Sequence, residues 1–243
     1  MPSLKFDPDF WNAPVSESTF QITSYDGASI TVHRSTPLSA LYTAHGGGLV
    51  SLSVAVFQDS IKQYAAEADI SIFAVTPFPR PSRDVYSALT WLHDNAANSL
   101  GINPERLAIF GLFAGGSIAA GQILMCPMLD DCTTQMSPDH PMFKFLSWSA
   151  TKNEISWNAY LGAADGKETS EYGAPARAQD LTGLPRTFWM DEVLAYGSRL
   201  AAANVDLEMH LYPGVSHGWD NCLRDVPVIK RAEEARVRAL QDF

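Results

Sequence analysis

Short runs of β-branched and aromatic residues alternate along this chain with stretches whose apolar positions recur at helical spacing. Phe20 to Tyr25 and Ala28 to Arg34 are β-prone runs separated by the turn dipeptide Asp26-Gly27, which predicts an opening hairpin. Ala40 to Ala44 predicts a further strand ending in His45-Gly46-Gly47-Gly48, and Ile70 to Val75 reads as a buried parallel strand. Between them lies a helix over roughly Gln58 to Ala68. Prolines at Pro77, Pro79 and Pro81 exclude a helix directly after Val75. From about Ser82 onward, Val85, Ala88, Leu89 and Leu92 fall at i, i+3, i+4 and i+7 and line one face of a helix.

Arg106 to Phe110 predicts the next strand, which runs through Gly111 into a small-residue helix over Ala114 to Met125. Asp131 to Gly183 is richer in Ser, Thr, Trp and Gly and lacks clean periodicity, so it reads as an excursion or cap. The regular pattern resumes with a short strand Thr187 to Met190, a helix from about Glu192 to Ala203, the strand Leu207 to Tyr212 and a final helix from about Val228. Strands alternating with helices predict an α/β fold, a mostly parallel sheet with helices on both faces and right-handed crossovers. In open sheets of this kind ligands sit at the carboxyl ends of the strands.

With 243 residues, 46% hydrophobic and 18% charged, the chain is expected to form one domain over 1–243 around one large core. The 27 acidic against 17 basic residues give a net charge of -10, which repels phosphate backbones and anionic membranes, so nucleic acid is not an expected partner. The start, Met1 to Asp7, has no apolar core for a signal peptide, and no apolar run is long enough to span a bilayer; the expectation is a soluble, cytoplasmic protein. Cys126, Cys132 and Cys222 are odd in number and without C-x-x-C spacing, which makes them ordinary thiols. The chain has no N-x-S/T triplet, in keeping with a protein that is not secreted. His33, His93, His140 and His210 lack ligand-like spacing and are assigned surface or packing roles; no metal and no cofactor is expected. The oligomeric state is left open.

Three features fall at carboxyl ends of predicted strands: His45-Gly46-Gly47-Gly48, Gly111-Leu112-Phe113-Ala114-Gly115-Gly116, and Gly214-Val215-Ser216-His217-Gly218. Successive glycines after a strand let backbone N–H groups face a cavity without side-chain obstruction, as an oxyanion hole requires. Taken alone, the same glycines would serve a plain turn.

Beyond these three features, Thr43 to Gly48, Pro127 to Asp131, Trp157 to Gly162, Ala174 to Arg177, Asp180 to Pro185 and Tyr212-Pro213-Gly214 leading to His217-Gly218 occur in the order of a known family. The chain resembles the hormone-sensitive-lipase-like carboxylesterases, the H-G-G-G group of α/β-hydrolases, over nearly its whole length. That resemblance implies an α/β-hydrolase fold with a sheet of about eight strands and ester hydrolysis by a Ser-His-Asp triad. It also implies a small cap, with elements from 1–19 and about 132–183. Position by position it makes His217 the base and Gly47, Gly48 and Ala114 the oxyanion donors.

The chain departs from the family pattern at the centre. Where the family reads G-D-S-A-G-G, this chain reads Gly111-Leu112-Phe113-Ala114-Gly115-Gly116, so Phe113 replaces the nucleophile. A bulky residue held at positive φ stores about 1–3 kcal/mol of strain, so the turn is expected to relax. Ser117 is a poor substitute, because one helical turn displaces its oxygen by roughly 5 Å from the strand end. Two family blocks are also missing: Y-R-L-A-P-E after Val75, and part of the strand before Asp191-Glu192, which deletes the triad acid. Asp191 then reads either as a surrogate acid within reach of His217 or as a helix N-cap.

The expected function is an esterase- or lipase-like homologue that lacks ordinary serine-esterase turnover and takes a small ester or carbonyl ligand. Two alternatives stay open. In one, His217 activates water or removes a substrate proton while Gly47 and Gly48 hold an enolate oxygen, giving a hydrolase, lyase or cyclase of secondary metabolism. In the other, the pocket is a non-catalytic receptor for a small ligand.

Overall fold

The computed structural model describes residues 15–36, 40–44, 47–48, 50, 52–75, 81–119, 123–131, 148–162, 171, 173–182, 187–190, 194–212, 215 and 226–242. Their core is an eight-stranded sheet: β1 (Ser16–Thr23), β2 (Ser29–Thr36), β3 (Ala40–Ala44), β4 (Ser71–Val75), β5 (Leu107–Leu112), β6 (Ile123–Met125), β7 (Thr187–Met190) and β8 (Leu207–His210). Across the sheet the order is β1-β2-β4-β3-β5-β6-β7-β8. The first two strands form the antiparallel hairpin, β2 lies antiparallel to β4, and every later pairing is parallel.

The helices are α1 (Val54–Ala68), α2 (Pro81–Asn95), α3 (Ala114–Ala119), α4 (Ala150–Leu161), α5 (Leu194–Ala202) and α6 (Pro227–Gln241). They cover both faces, and the period-2 alternation of the strands shows how. Ile72 and Ala74 of β4 pack with Phe57 and Ile61 of α1 and Leu240 of α6, while Phe73 and Val75 pack with Val85, Ala88 and Leu92 of α2. Leu124 of β6 turns to the face covered by Tyr196 and Leu200 of α5, and its neighbours Ile123 and Met125 to the face of α1. A strand apolar on both faces is stable only between two such layers, which is why β4 is buried along its whole length.

The predicted hairpin, the strands at Ala40, Ile70, Arg106, Thr187 and Leu207 and the helices after Ser82 and Val228 are all present. Most boundaries shift by one or two residues, and three differ by more. β1 begins at Ser16, which takes residues 16–19 into the sheet, and α1 begins at Val54 rather than near Gln58. The helix expected over Ala114 to Met125 is wrong in its second half: α3 ends at Ala119, and Ile123–Met125 is a strand. The physical reason is burial. Ile123, Leu124 and Met125 are all at most 1% exposed, which a strand inserted between β5 and β7 achieves and a one-sided helix does not.

The hairpin is tied to the body at its turn. Gly27 sits at φ 87°, Ala28 N–H donates to Asp26 Oδ1 at 3.1 Å, and the buried Ser24 hydroxyl donates to Asp84 Oδ1 of α2 at 2.6 Å. At the other end of the chain, α6 is anchored through Arg236, which is fully buried. Its Nη1 donates to Tyr64 Oη of α1 and to Glu233 Oε1, each at 3.0 Å.

Candidate active site

Strands β3 and β5 are parallel neighbours, with Ala44 opposite Gly111, so the glycine loop and the bend after β5 emerge side by side at the carboxyl edge of the sheet. The bend is one residue long. Leu112 ends β5, Phe113 takes φ 53° and Ala114 starts α3. Phe113 therefore occupies a left-handed conformation that disfavours a side chain, and the expected relaxation of the turn does not occur.

Its neighbours over-determine that conformation. Phe113 N–H donates to Met125 O at 2.8 Å, and Phe113 O accepts from Gly116 N–H at 2.9 Å and Met128 N–H at 3.2 Å. A Cβ on Gly111 would lie 2.5 Å from Gly116 Cα and 2.6 Å from Gly115 O, so only a glycine lets α3 fold back this tightly on β5. Gly116 in turn packs on Pro127. The Phe113 ring is half-buried against the α1 core, with its centroid 6.4 Å from that of Phe57 and a 48° tilt between the rings. Cys126, buried directly after β6, is a second left-handed residue beside this bend, at φ 46°.

The glycine loop is shaped by the same logic. Gly47 stands at φ 126° and Gly48 at φ 62°. A Cβ on Gly48 would lie 2.6 Å from Ser156 Oγ and 2.9 Å from the Trp148 ring, so one of these side chains would have to shift to admit it. Gly47, half-buried, and Gly48, buried, follow β3, and the buried Ala114 follows β5, its parallel neighbour in the sheet.

Ser156 belongs to α4, which the sequence reading left inside an aperiodic excursion. The signal was present: Trp157, Tyr160 and Leu161 fall at i, i+3 and i+4 within the quoted Trp157-to-Gly162 block. In the structure this stripe packs with Ala114, Met128, Ala174 and Val50, which lays α4 over the bend and the glycine loop. Ser149 caps the helix by accepting from Lys152 N–H at 3.3 Å. Burial pushes the Tyr160 phenol above its ordinary pKa, and a hydrogen bond with Ser82 of α2 partly offsets this. Trp148 Nε1 donates to Asn153 Oδ1 at 3.1 Å, whereas Trp157 Nε1 is buried with no partner among the described residues. Such an orphan donor costs about 1–3 kcal/mol.

The predicted His217 and Asp191 lie outside the described residues, as do His45, Gly46, Cys132, His140 and Cys222. Ser117 is placed by its backbone in α3, beyond the bend. His93 is exposed beside Asp94, and His210 lies on β8 with its Nε2 2.7 Å from Glu208 Oε1, in keeping with surface and packing roles. Among the described residues no group of three or more His, Cys, Asp or Glu is arranged to hold a metal ion.

A family model described as alpha/beta hydrolase fold matches residues 41–221. The chain belongs to this α/β-hydrolase family. Among curated relatives of this α/β-hydrolase, the carboxylic ester hydrolase LipN of Mycobacterium tuberculosis is 24% identical over 222 residues, covering 76% of this chain and 58% of LipN. The chain thus spans little more than half the length of that relative. The carboxylesterase NlhH of the same organism is 27% identical over 237 residues, covering 81% of this chain and 71% of NlhH. Among solved structures, a bacterial heroin esterase superposes with a TM-score of 0.83 at 29% identity, over 96% of this chain and 85% of that one. The esterase LipW of Mycobacterium marinum gives a TM-score of 0.82 at 26% identity, over 95% and 82% of the two chains. Among the described residues no helix is long and apolar enough to cross a membrane.

Proposed function

We propose that this α/β-hydrolase binds a small ester or carbonyl ligand beside the glycine loop and does not hydrolyse it through an acyl-enzyme. The observation that carries this reading is Phe113 at the tip of the β5–α3 bend, held at φ 53° by three backbone hydrogen bonds. A benzyl group has no lone pair with which to attack a carbonyl carbon. In another hydrolase, loss of the nucleophile lowers turnover by about a millionfold, and oxyanion hole plus binding retain only about 10³–10⁴ over water.

The likeness to LipN, NlhH and the heroin esterase supports an ester or carbonyl compound as the class of ligand. In this reading Gly47, Gly48 and Ala114 offer N–H donors to its oxygen. His217 serves as the remaining base, Asp191 acts as its surrogate acid, and α4 belongs to a cap drawn from about residues 132–183. The protein then acts as a single domain.

Hydrolysis of p-nitrophenyl acetate and butyrate by the wild type and by Phe113→Ser tests this. The wild type is expected to show no saturable turnover above the background of a nucleophile-free site, and Phe113→Ser to exceed it. Saturable wild-type hydrolysis at a rate matching or exceeding that of Phe113→Ser would overturn the proposal.

A further inference from the structure

The two edges of the sheet differ in kind. β8, at one edge, is only four residues long. β1, at the other, is eight residues long and pairs with β2 one-to-one from Ser16–Thr36 to Thr23–Ser29. Among the described residues no strand lies on its outer side. An edge strand offers its outward backbone N–H and C=O groups to any second strand, and proteins block this with proline, lysine, a bulge or brevity. β1 has none of these. Its one charged residue is Glu17, which Lys62 Nζ neutralises at 2.8 Å. On the face toward α2, Phe20 is half-buried, with its ring centroid 5.2 Å from that of the half-buried Trp91.

We propose that β1 is the docking edge for a second copy of this chain, the two β1 strands pairing antiparallel about a two-fold axis through Thr19. Such an axis runs normal to the sheet and keeps every residue on its own face, so opposed residues share parity along the strand. With Thr19, near the middle of β1, opposite Thr19, Glu17 stands opposite Gln21 of the second copy and Ser18 opposite its Phe20. No like charges meet in this register: the carboxylate faces an amide, and opposed threonines are a favoured antiparallel pair. Phe20 comes diagonal to Phe20 of the second copy at roughly 7–8 Å, within aromatic reach, so the half-buried Phe20 and Trp91 of both copies gain apolar cover. The net charge of -10 opposes the approach of two copies, and an edge with one neutralised carboxylate is where that opposition is least.

Sedimentation velocity over about 1–200 μM protein tests this with the wild type, Thr19→Lys and Thr19→Glu, the two variants run singly and as an equal mixture. Thr19 is exposed and lies on the edge strand, with β2 and β4 between it and β3, and thermal unfolding checks that each variant is folded. The wild type is expected to dimerise with a micromolar Kd, as suits a small interface. Each variant alone sets two like charges opposite each other at the axis and should weaken the dimer at least about ten-fold, whereas the mixture sets lysine opposite glutamate and should recover it. A wild type that stays monomeric, single variants that dimerise as the wild type does, or a mixture no tighter than either variant would overturn the proposal.

Discussion

Replacing Phe113 by glycine and by alanine separates the strain of the bend from the packing of the ring. Both variants lose a half-buried phenyl group, worth about 1–1.5 kcal/mol on area grounds, and the tilted contact with Phe57, worth roughly 0.5–1.5 kcal/mol. Alanine keeps a Cβ at φ 53° and recovers nothing, so Phe113→Ala should be destabilised by about 2 kcal/mol. Glycine removes the left-handed penalty of about 1–2 kcal/mol and should give back much of that loss. Equilibrium urea unfolding, followed by tryptophan fluorescence, reads both as midpoint shifts at constant slope. At ordinary positions glycine is the less stable of the two by about 0.5–1 kcal/mol, so the expected order is inverted. Finding Phe113→Gly less stable than Phe113→Ala would refute the claim that the bend stores strain.

Gly111→Ala should lower stability by about 3 kcal/mol or prevent folding, because its Cβ meets backbone of Gly116 and Gly115 rather than a movable side chain; thermal unfolding checks this. Arg236→Ala should remove about 3 kcal/mol by breaking the buried link from α6 to Tyr64 and Glu233, measured in urea. Tyr160 carries a pH prediction. Its folded pKa is raised, so its contribution to stability is complete below the unfolded value of about 10 and is lost as pH rises through the folded value. The melting temperature of the wild type should therefore fall more steeply above about pH 10 than that of Tyr160→Phe.

Much of this fold was legible because its strands are short, apolar and bounded by glycine or proline, as at Ala40 and Ile70. The strand Ile123–Met125 was not. Three apolar residues fit helix and strand alike, and only burial on both faces decides between them. The bend at Phe113 was legible as a position but not as a conformation, since local propensity predicts relaxation and the bonds to Met125, Gly116 and Met128 are tertiary. The helix carrying Ser156 and Trp157 was legible only through the spacing of Trp157, Tyr160 and Leu161. Their placement over Gly48 and Ala114 depends on how α4 crosses the sheet edge, which no local pattern encodes. Charge and the absence of long apolar runs bear on partners and membranes only, not on the chemistry of the bend.

The central claim, that no activated hydroxyl stands at the β5–α3 bend, is tested most directly by intact-mass spectrometry after incubation with a fluorophosphonate, which phosphonylates activated serines. The account predicts an unchanged wild-type mass and a single adduct on Phe113→Ser, mapped to residue 113. A stoichiometric adduct on the wild type, at Ser117 or any other serine, would contradict it.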